Sequence, residues 1–396
     1  MIVNIFLVVF FSIFGPKIGI IDLSLIGSLI AIISLVSRKP IIPKAFIVFY
    51  AFICIFTFYN AVMFLFHDST DYYLLLRNVR VLISSFSLGL FFSNLPKSKI
   101  LVTLKIIVVV LSFNAIVTIL QVLDPNLQIL LKDIYGFTKS LRSIRAFGLT
   151  AGYDTSGYLS IIGFLLTLFF IISSQRRIKW ILLQLIFSIS ILFTSRSSMI
   201  LFSFIFLAVT FFFFLQRGQG FKLLSVIYFA ISSLAIIYFL LPIFLSTFTI
   251  FNDYFFWIPS SNYFVYYART DMTEWQNSMW LFPGNIFDLI FGMSIDVPFS
   301  DVGFVKIVYM VGIIGLFIII GLYGYILRNI WRVIKFSTDK NTILINWLFI
   351  IVLLIMILIN IKNLYFFTRG FHELLTILFF TITLPVQRVF HRNNQN

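Results

Sequence analysis

Charged residues are scarce in this chain, and their scarcity limits the possible folds. Of the 396 residues, 11% are Asp, Glu, Lys or Arg, whereas 61% are hydrophobic and 19% are aromatic. Ordinary soluble domains contain about 25% charged and about 45–50% apolar residues. The mean hydropathy of +1.07 also lies far on the apolar side. The composition therefore excludes a soluble globular fold and predicts an all-α polytopic membrane protein, with residues 1–396 forming a single integral membrane domain.

Cysteine and the short motifs of many enzyme families are also missing. The one cysteine, Cys54, lies inside an apolar run, which excludes a disulfide framework and a cysteine metal site. The sequence has no GxxxxGK[ST], no GxGxxG after a strand, no HExxH and no CxxC, so nucleotide, dinucleotide and zinc chemistry have no visible machinery. We expect no cofactor and no metal. Neither an internal repeat nor a matched pair of broken helices stands out, which disfavours a transporter.

Acidic residues are outnumbered, and the position of the excess basic residues indicates their role. The chain has 14 Asp and Glu against 29 Lys and Arg, a formal net charge of +15. The basic residues gather in short loops between apolar runs, as expected for cytoplasmic loops of a membrane protein. No separate basic domain with interleaved aromatic residues is present, so we expect no nucleic-acid partner.

Apolar runs are abundant, and several approach the length of about 20 residues that a helix needs to cross a bilayer. Basic loops between them alternate along the chain and place both termini in the cytoplasm. The first run has no basic n-region and no small-residue cleavage site, so it reads as a retained anchor. The first, seventh and last runs are short and need tilt or local thinning to span. We predict about 12 transmembrane helices, at residues 2–14, 18–36, 45–66, 77–95, 100–123, 156–173, 180–194, 197–215, 223–244, 302–327, 343–361 and 370–386.

Two long connections fall on the opposite, external side. Residues 124–155 form the smaller loop, and helical spacing of its apolar residues predicts an interfacial helix near 126–136, with Gln128, Lys132 and Asp133 on the polar face. Residues 245–301 form a large loop between the ninth and tenth helices. This loop is rich in Tyr and Trp beside carboxylates, which suits either an interfacial aromatic belt or a sugar-binding surface.

Several arginines remain on the external side, where the charge bias predicts few. Guanidinium groups bind phosphate oxygens through two parallel hydrogen bonds, so a cluster of arginines predicts a pyrophosphate site. Arg196 lies in the turn Phe193-Thr-Ser-Arg-Ser-Ser198 between two short runs, where an ionisable group is usually paired or functional. Snorkelling to lipid headgroups explains Arg77 or Arg369 equally well. The candidate pyrophosphate ligands are Arg77, Arg80, Arg145, Arg196 and Arg269, and the other external arginines are Arg142 and Arg369.

External groups able to transfer protons show no diagnostic pair spacing. Arg369, His372 and Glu373 share one face at the start of the last run, which favours a stabilising ion pair over a proton relay. A glycosidase with paired carboxylates has little support, because sequence spacing does not give the separation of the two carboxyl groups. The candidates are Asp68, Asp71, Asp154, Asp271, Glu274, Asp301, His372 and Glu373.

Several short segments resemble a known family when taken in order. The segment Arg145-Ala-Phe-Gly-Leu-Thr-Ala-Gly-Tyr-Asp-Thr-Ser-Gly-Tyr158 is followed by Thr194-Ser-Arg-Ser-Ser198. Residues 284–292 then lead into Asp301-Val-Gly-Phe and Val311-Gly-Ile-Ile-Gly315. This order resembles the O-antigen ligase and polymerase superfamily of bacterial inner membranes. The resemblance covers about residues 140–330 and implies a multi-pass inner-membrane protein with 245–301 as a large periplasmic loop.

One departure within this resemblance favours one branch of the superfamily. Ligases resemble one another in having a histidine near the end of the large periplasmic loop, whereas this chain has Asp301 there and no histidine between His67 and His372. The resemblance therefore implies an O-antigen polymerase of the Wzy type, a metal-independent glycosyltransferase. It would move a growing glycan from undecaprenyl pyrophosphate to a newly flipped lipid-linked repeat unit.

The implied partners are undecaprenyl-pyrophosphate-linked oligosaccharides, membrane lipids and a chain-length-regulating membrane protein. Asp301 is the first candidate for the catalytic base, with Asp271 and His372 in reserve, although Asp301 suits an ordinary helix N-cap equally well. The alternatives are a ligase that transfers polymer to lipid A core and a flippase or transporter of lipid-linked oligosaccharides.

Overall fold

The computed structural model describes residues 1–18, 21–36, 40–67, 72–137, 141, 145–173, 177–215, 279–295 and 300–383, with backbone alone for 18, 21, 73, 196 and 211–215. Most of this is α-helix, and an antiparallel hairpin of two short strands, β1 (Lys17–Ile18) and β2 (Ile21–Asp22), pairs Lys17 with Asp22. The helices are α1 (Ile2–Phe14), α2 (Ser24–Val36), α3 (Lys44–Phe66), α4 (Tyr72–Ser93), α5 (Ile100–Leu123), α6 (Pro125–Tyr135), α7 (Tyr153–Ser173), α8 (Ile178–Leu192), α9 (Arg196–Leu215), α10 (Ile286–Phe291), α11 (Gly303–Phe336), α12 (Lys340–Leu358) and α13 (Phe371–Ile382).

The predicted all-α class is confirmed, and six helices are long and apolar enough to cross a membrane. They are Lys44–Phe66, Leu74–Ser93, Lys97–Leu123, Tyr153–Ser173, Gly303–Phe336 and Lys340–Ile361. Shorter apolar helices occupy Ile2–Phe14, Ser24–Val36, Ile178–Leu192, Ser197–Thr210 and Phe371–Ile382. Each of the other predicted apolar runs contains one of these helices, and the ninth, residues 223–244, lies outside the described residues.

Helix α7 forms the centre of the bundle. It packs against α5, α8, α9 and α12, and 89% of its most apolar stretch is buried. Gly157 and Gly163 permit this close packing. A Cβ at Gly157 would lie 2.3 Å from Ser198 Oγ, and a Cβ at Gly163 would lie 2.4 Å from the Phe187 ring. Small residues at such contacts let helix backbones approach closely inside a membrane.

Helix α11 is interrupted at Gly312, where φ is 64° and ψ is −173°. The helix continues to Phe336, beyond the predicted end of the run at residue 327. Carbonyl groups released by the break are satisfied by the segment after α10. The Met293 N–H donates to the Tyr309 carbonyl at 2.6 Å, and the Ser294 N–H donates to the Met310 carbonyl at 3.1 Å. Such a break is tolerated at membrane depth when neighbouring backbone restores the hydrogen bonds.

The helix predicted near 126–136 is present as α6, but one residue of its expected polar face is buried. Asp124 caps the helix by accepting from the Asn126 N–H at 3.0 Å, Pro125 occupies its first turn, and Gly136 ends it at φ 64°. Gln128 was expected on the exposed polar face but is buried. Its side-chain amide is satisfied there, because it donates to the Arg145 carbonyl. Leu130, on the apolar face of the same helix, is 62% exposed.

Candidate anion-binding site

A cavity of about 520 Å³ lies where the ends of several helices meet. The sequence assigned every wall segment to the external side: the residues after α1, the start of α4, the end of α6, the segment before α7, the start of α11 and the loop before α13. The fold brings these separate segments together. The lining residues are Ile13, Phe14, Gly15, Lys17, Arg77, Arg80, Tyr135, Gly136, Leu149, Thr150, Ala151, Thr155, Lys306, Asn363, Leu364, Tyr365, Thr368 and Arg369.

Positive charge dominates the cavity wall. Lys17, Arg77, Arg80, Lys306 and Arg369 line it, and none of the described lining residues is acidic. Three of these cations are arginines, which present planar sets of donors suited to phosphate oxygens. A concave wall with this charge attracts anions and strengthens their local field. The cavity is therefore suited to a phosphate or pyrophosphate group.

The predicted pair Arg77 and Arg80 both contact the loop before α13. Arg80 Nη2 donates to the Phe367 carbonyl at 2.7 Å, and Arg77 Nε donates to the same carbonyl at 3.4 Å. Arg77 Nη2 also donates to the Thr368 hydroxyl at 3.4 Å. Their spacing of three residues puts both on one face of α4, as the sequence indicated. The two side chains fix this loop at the cavity edge.

Two carboxylates lie behind the arginines. Asp22 Oδ2 is 2.9 Å from Arg369 Nη2 and 3.8 Å from Arg80 Nη1. Glu373 Oε1 is 3.6 Å from Arg80 Nε, while Glu373 Oε2 accepts from the Gly370 N–H at 2.8 Å. The expected ion pair between Arg369 and Glu373 is wrong. Arg369 precedes the first turn of α13 and reaches Asp22, whereas Glu373 turns back to cap the helix and faces Arg80.

The glycine-rich segment at 145–152 is held by polar side chains of α5. The Leu149 N–H donates to Asn114 Oδ1 at 2.7 Å, and the Gly148 N–H donates to Gln121 Oε1 at 2.8 Å. Gly148 has φ 60°, and a Cβ there would lie 2.3 Å from Asn114 Oδ1. These contacts place Leu149, Thr150 and Ala151 in the cavity wall. Arg145, predicted as a ligand, is half-buried and is not among the lining residues.

The two strongest motif segments are neighbours in the fold. Ser197 Oγ donates to Asp154 Oδ1 at 2.6 Å, and the Ala146 N–H donates to the Phe193 carbonyl at 2.7 Å. Arg196 begins α9 between these contacts, and its side chain lies outside the described residues. The serine-rich turn therefore supports the start of α7, next to the cavity-lining Thr155.

Asp301 lies at the outer start of α11 but does not cap that helix. The N-cap is Val302, with no side-chain cap, and the Val302 N–H donates to Ser300 Oγ at 3.0 Å. The N-cap interpretation of Asp301 is therefore wrong. Its carboxylate is half-exposed and lies 3.4 Å from Lys362 Nζ. Burial raises the pKa of the lining residue Tyr365 well above its usual value, and the negative charges of Asp154 and Asp301 raise it further.

His372, the reserve candidate for the base, is buried behind the cavity and does not line it. Its Nε2 lies 2.6 Å from Ser85 Oγ, which joins α13 to α4. The other reserve, Asp271, lies outside the described residues, as do Arg142, Arg269, Asp68, Asp71 and Glu274. In the described part of the chain, no group of three or more His, Cys, Asp or Glu is arranged to hold a metal ion.

Sequence reasoning missed three charged residues of this site. Lys17 and Asp22 belong to the hairpin between α1 and α2. The sequence analysis placed residue 18 at the start of an apolar run and did not predict a hairpin there. Lys306 lies in the first turn of α11, inside a run expected to be purely apolar. A signal for Lys306 was present, because an ionisable residue inside an apolar run usually marks a function.

Comparison with known proteins gives no match: no family model, curated protein or solved structure resembles the chain closely enough to identify it. The cavity and its charges therefore carry the functional argument.

Proposed function

We propose that the chain is an oligosaccharide repeat-unit polymerase, a membrane glycosyltransferase that uses undecaprenyl-pyrophosphate-linked glycans. The observation that carries this proposal is the cavity whose described wall contains five cations and no carboxylate. A pyrophosphate carries several negative charges and planar sets of oxygens that guanidinium groups bind well. Arg77, Arg80 and Arg369 lie together on this wall, so one pyrophosphate contacts several donors at once.

The proposed topology has 12 spans, both termini in the cytoplasm and residues 245–301 in the periplasm, within the inner membrane of a bacterium. The cavity supports this arrangement, because all its wall segments come from connections that the alternating basic loops put on one side. Lys17 follows the first helix, Arg77 lies at the outer end of α4, and Lys306 lies at the outer end of α11. A topology that put one of these connections on the other side would divide the wall between two faces of the membrane.

The proposed reaction transfers a glycan between two lipid carriers. A hydroxyl oxygen of the acceptor unit attacks the anomeric carbon of the donor glycan, and the bond from that carbon to the pyrophosphate oxygen breaks. The pyrophosphate leaves with the bonding electrons, and its developing charge is stabilised by cations already in place. The hydroxyl proton passes to a carboxylate, for which Asp301 remains our first candidate, with Asp271 and His372 in reserve. Arg145, Arg196 and Arg269 remain candidates for contacts with the second carrier.

Two experiments test this function. In the source cell, deletion of the encoding gene is expected to leave surface glycan with a single repeat unit in place of a ladder of longer chains. Loss of all glycan from lipid A core would instead indicate a ligase. The lipid-linked unit extracted from the deletion strain then serves as substrate for purified protein in nanodiscs. We expect longer lipid-linked glycans and free undecaprenyl pyrophosphate. Movement of the lipid across a vesicle membrane without cleavage would indicate a flippase.

A matched pair of lysines on α11 links the activity to the cavity. Lys306 lines the cavity near the start of the helix, whereas Lys335 lies in its last turn, toward the opposite end. We expect Lys306→Ala to lower the transfer rate at least tenfold and Lys335→Ala to keep it within about twofold, because one charge at the site contributes on the order of 1–3 kcal/mol through a charge-assisted hydrogen bond. Equal rates for the two variants would contradict the assignment of the cavity.

A further inference from the structure

Asp22 occupies a position that the proposed reaction does not use. It ends the β1–β2 hairpin, and its Oδ2 atom contacts Arg369 Nη2 at 2.9 Å and Arg80 Nη1 at 3.8 Å. One carboxylate oxygen therefore faces two of the three cavity arginines. Asp22 is largely buried, with 16% of its side chain exposed, so water screens these contacts only partly.

The arginines line the cavity, but the carboxylates that contact them do not. Arg80 and Arg369 line the cavity, whereas Asp22 and Glu373 do not. Glu373 repeats the arrangement on the other side of Arg80, at 3.6 Å from Nε, and its side chain is 1% exposed. Each of these guanidinium groups thus lines the cavity and is also paired with a carboxylate that does not line it.

Each arginine also has a backbone acceptor that fixes its orientation. Arg80 donates to the Phe367 carbonyl at 2.7 Å, and Arg369 Nη1 donates to the Gly15 carbonyl at 3.2 Å. The carboxylate of Asp22 is therefore not the sole group that orients these side chains. Its other oxygen, Oδ1, accepts from the Ser24 N–H at 3.0 Å and from the Ser24 hydroxyl at 2.6 Å, which an asparagine oxygen can also do. What asparagine lacks is the negative charge, which opposes the field that an anion in the cavity feels.

We infer that Asp22, together with Glu373, is an internal counter-ion that lowers the affinity of the cavity for pyrophosphate. This inference rests on the proposed function for its consequence. The undecaprenyl pyrophosphate formed by transfer must leave before the next carrier enters, and a cavity whose arginines lacked these two counter-ions would hold it too tightly. The two carboxylates hold the arginines in place while reducing their net attraction for the product.

The test measures binding of inorganic pyrophosphate to the purified full-length protein in detergent, by isothermal titration calorimetry. Asp22→Asn keeps the side-chain shape and removes the charge. We expect its Kd for pyrophosphate to fall about tenfold, because a unit charge several ångströms away in a partly buried site changes an anion's affinity by that order. Asp22→Glu keeps the charge, and its Kd is expected to stay within about threefold of the wild type. Asp339→Asn, which makes the same charge change at the opposite end of α11, serves as the matched control and is expected to leave Kd unchanged.

Two further variants make the result decisive. Glu373→Gln keeps an oxygen for the Gly370 N–H and is expected to tighten binding in the same direction, which provides a second measurement if Asp22→Asn does not fold. In an Arg369→Ala background, the effect of Asp22→Asn is expected to stay close to tenfold, because the carboxylate acts through its charge and not by orienting that arginine. Weaker or unchanged binding in folded Asp22→Asn or Glu373→Gln would overturn the inference, as would absence of pyrophosphate binding in the wild type. Tighter binding in a preparation that transfers no glycan would instead refute the polymerase proposal alone.

Discussion

Replacing Arg80 with alanine is expected to destabilise the protein as well as to inactivate it. Arg80 is 9% exposed and lies between the carboxylates of Asp22 and Glu373. Its removal leaves Glu373, which is 1% exposed, without a cation within reach of Oε1 in the described part of the chain. Breaking a buried ion pair in this way costs about 3–5 kcal/mol, because an uncompensated charge stays in a medium of low dielectric constant. Loss of the Arg80 hydrogen bond to the Phe367 carbonyl adds to this cost.

Arg77 provides the contrast. It is half-buried, and its bonds to the Phe367 carbonyl and the Thr368 hydroxyl are both 3.4 Å long. Bonds of this length contribute about 1 kcal/mol or less. We therefore expect Arg77→Ala to retain a melting temperature close to the wild type while losing transfer activity, and Arg80→Ala to melt about 5 °C lower.

Intrinsic fluorescence during heating in detergent measures both melting temperatures, and transfer in nanodiscs measures activity. The double variant Arg80→Ala/Glu373→Gln separates the two effects. Neutralising the orphaned carboxylate is expected to restore most of the stability without restoring activity. If Arg80→Ala has the same melting temperature as the wild type, the reasoning is refuted, because the buried charge of Glu373 would then not be stabilised by Arg80.

Three further predictions concern backbone and carboxylates. Gly148→Ala is expected to lower stability by about 3 kcal/mol or more and to disturb the cavity wall. Its Cβ would lie 2.3 Å from Asn114 Oδ1, and the left-handed conformation adds a further cost. Gly136→Ala, with φ 64° and no atom within 4 Å, is the control and is expected to show only the conformational cost of about 1–2 kcal/mol in the same melting assay. Asp339→Ala is expected to lower stability by about 1 kcal/mol and Asp339→Asn by less, because Asp339 caps α12 by accepting from the Asn341 and Thr342 N–H groups. The Thr342 hydroxyl bond lowers the pKa of Asp339, so this contribution is present above the unfolded pKa and is lost as pH falls through the lower folded value, which melting curves at successive pH values test. Asp301→Asn is expected to abolish transfer without changing the melting temperature, since Asp301 does not cap α11; a variant with full chain length would exclude it as the base.

The sequence by itself determined the helices and their approximate bounds. Apolar runs of the required length allow only a helix in a bilayer, because each backbone polar group must find its partner inside the segment. The interfacial helix was predictable for a similar local reason, since Asp124, Pro125 and Gly136 supply its cap, its first turn and its end. The pairing of Arg77 with Arg80 on one face also follows from helical spacing alone.

Only the tertiary structure decided which charges share the cavity. Lys17 lies hundreds of positions before Lys306 and Arg369 in the sequence, and no local rule relates the three residues. Helical spacing predicted that Arg369 would pair with Glu373, whereas Arg369 pairs with Asp22 in the hairpin. Long side chains at helix ends reach several partners at similar local cost, so the choice depends on which elements pack nearby.

The identity of the buried face of α6 shows the same limit. Apolar periodicity put Gln128 on the polar face of this helix, whereas the structure buries it. A buried amide is stable there because the Arg145 carbonyl, which comes from a different loop, accepts its hydrogen bond. Periodicity reports the hydrophobicity of one segment, whereas burial of a polar group depends on a partner that only the fold supplies.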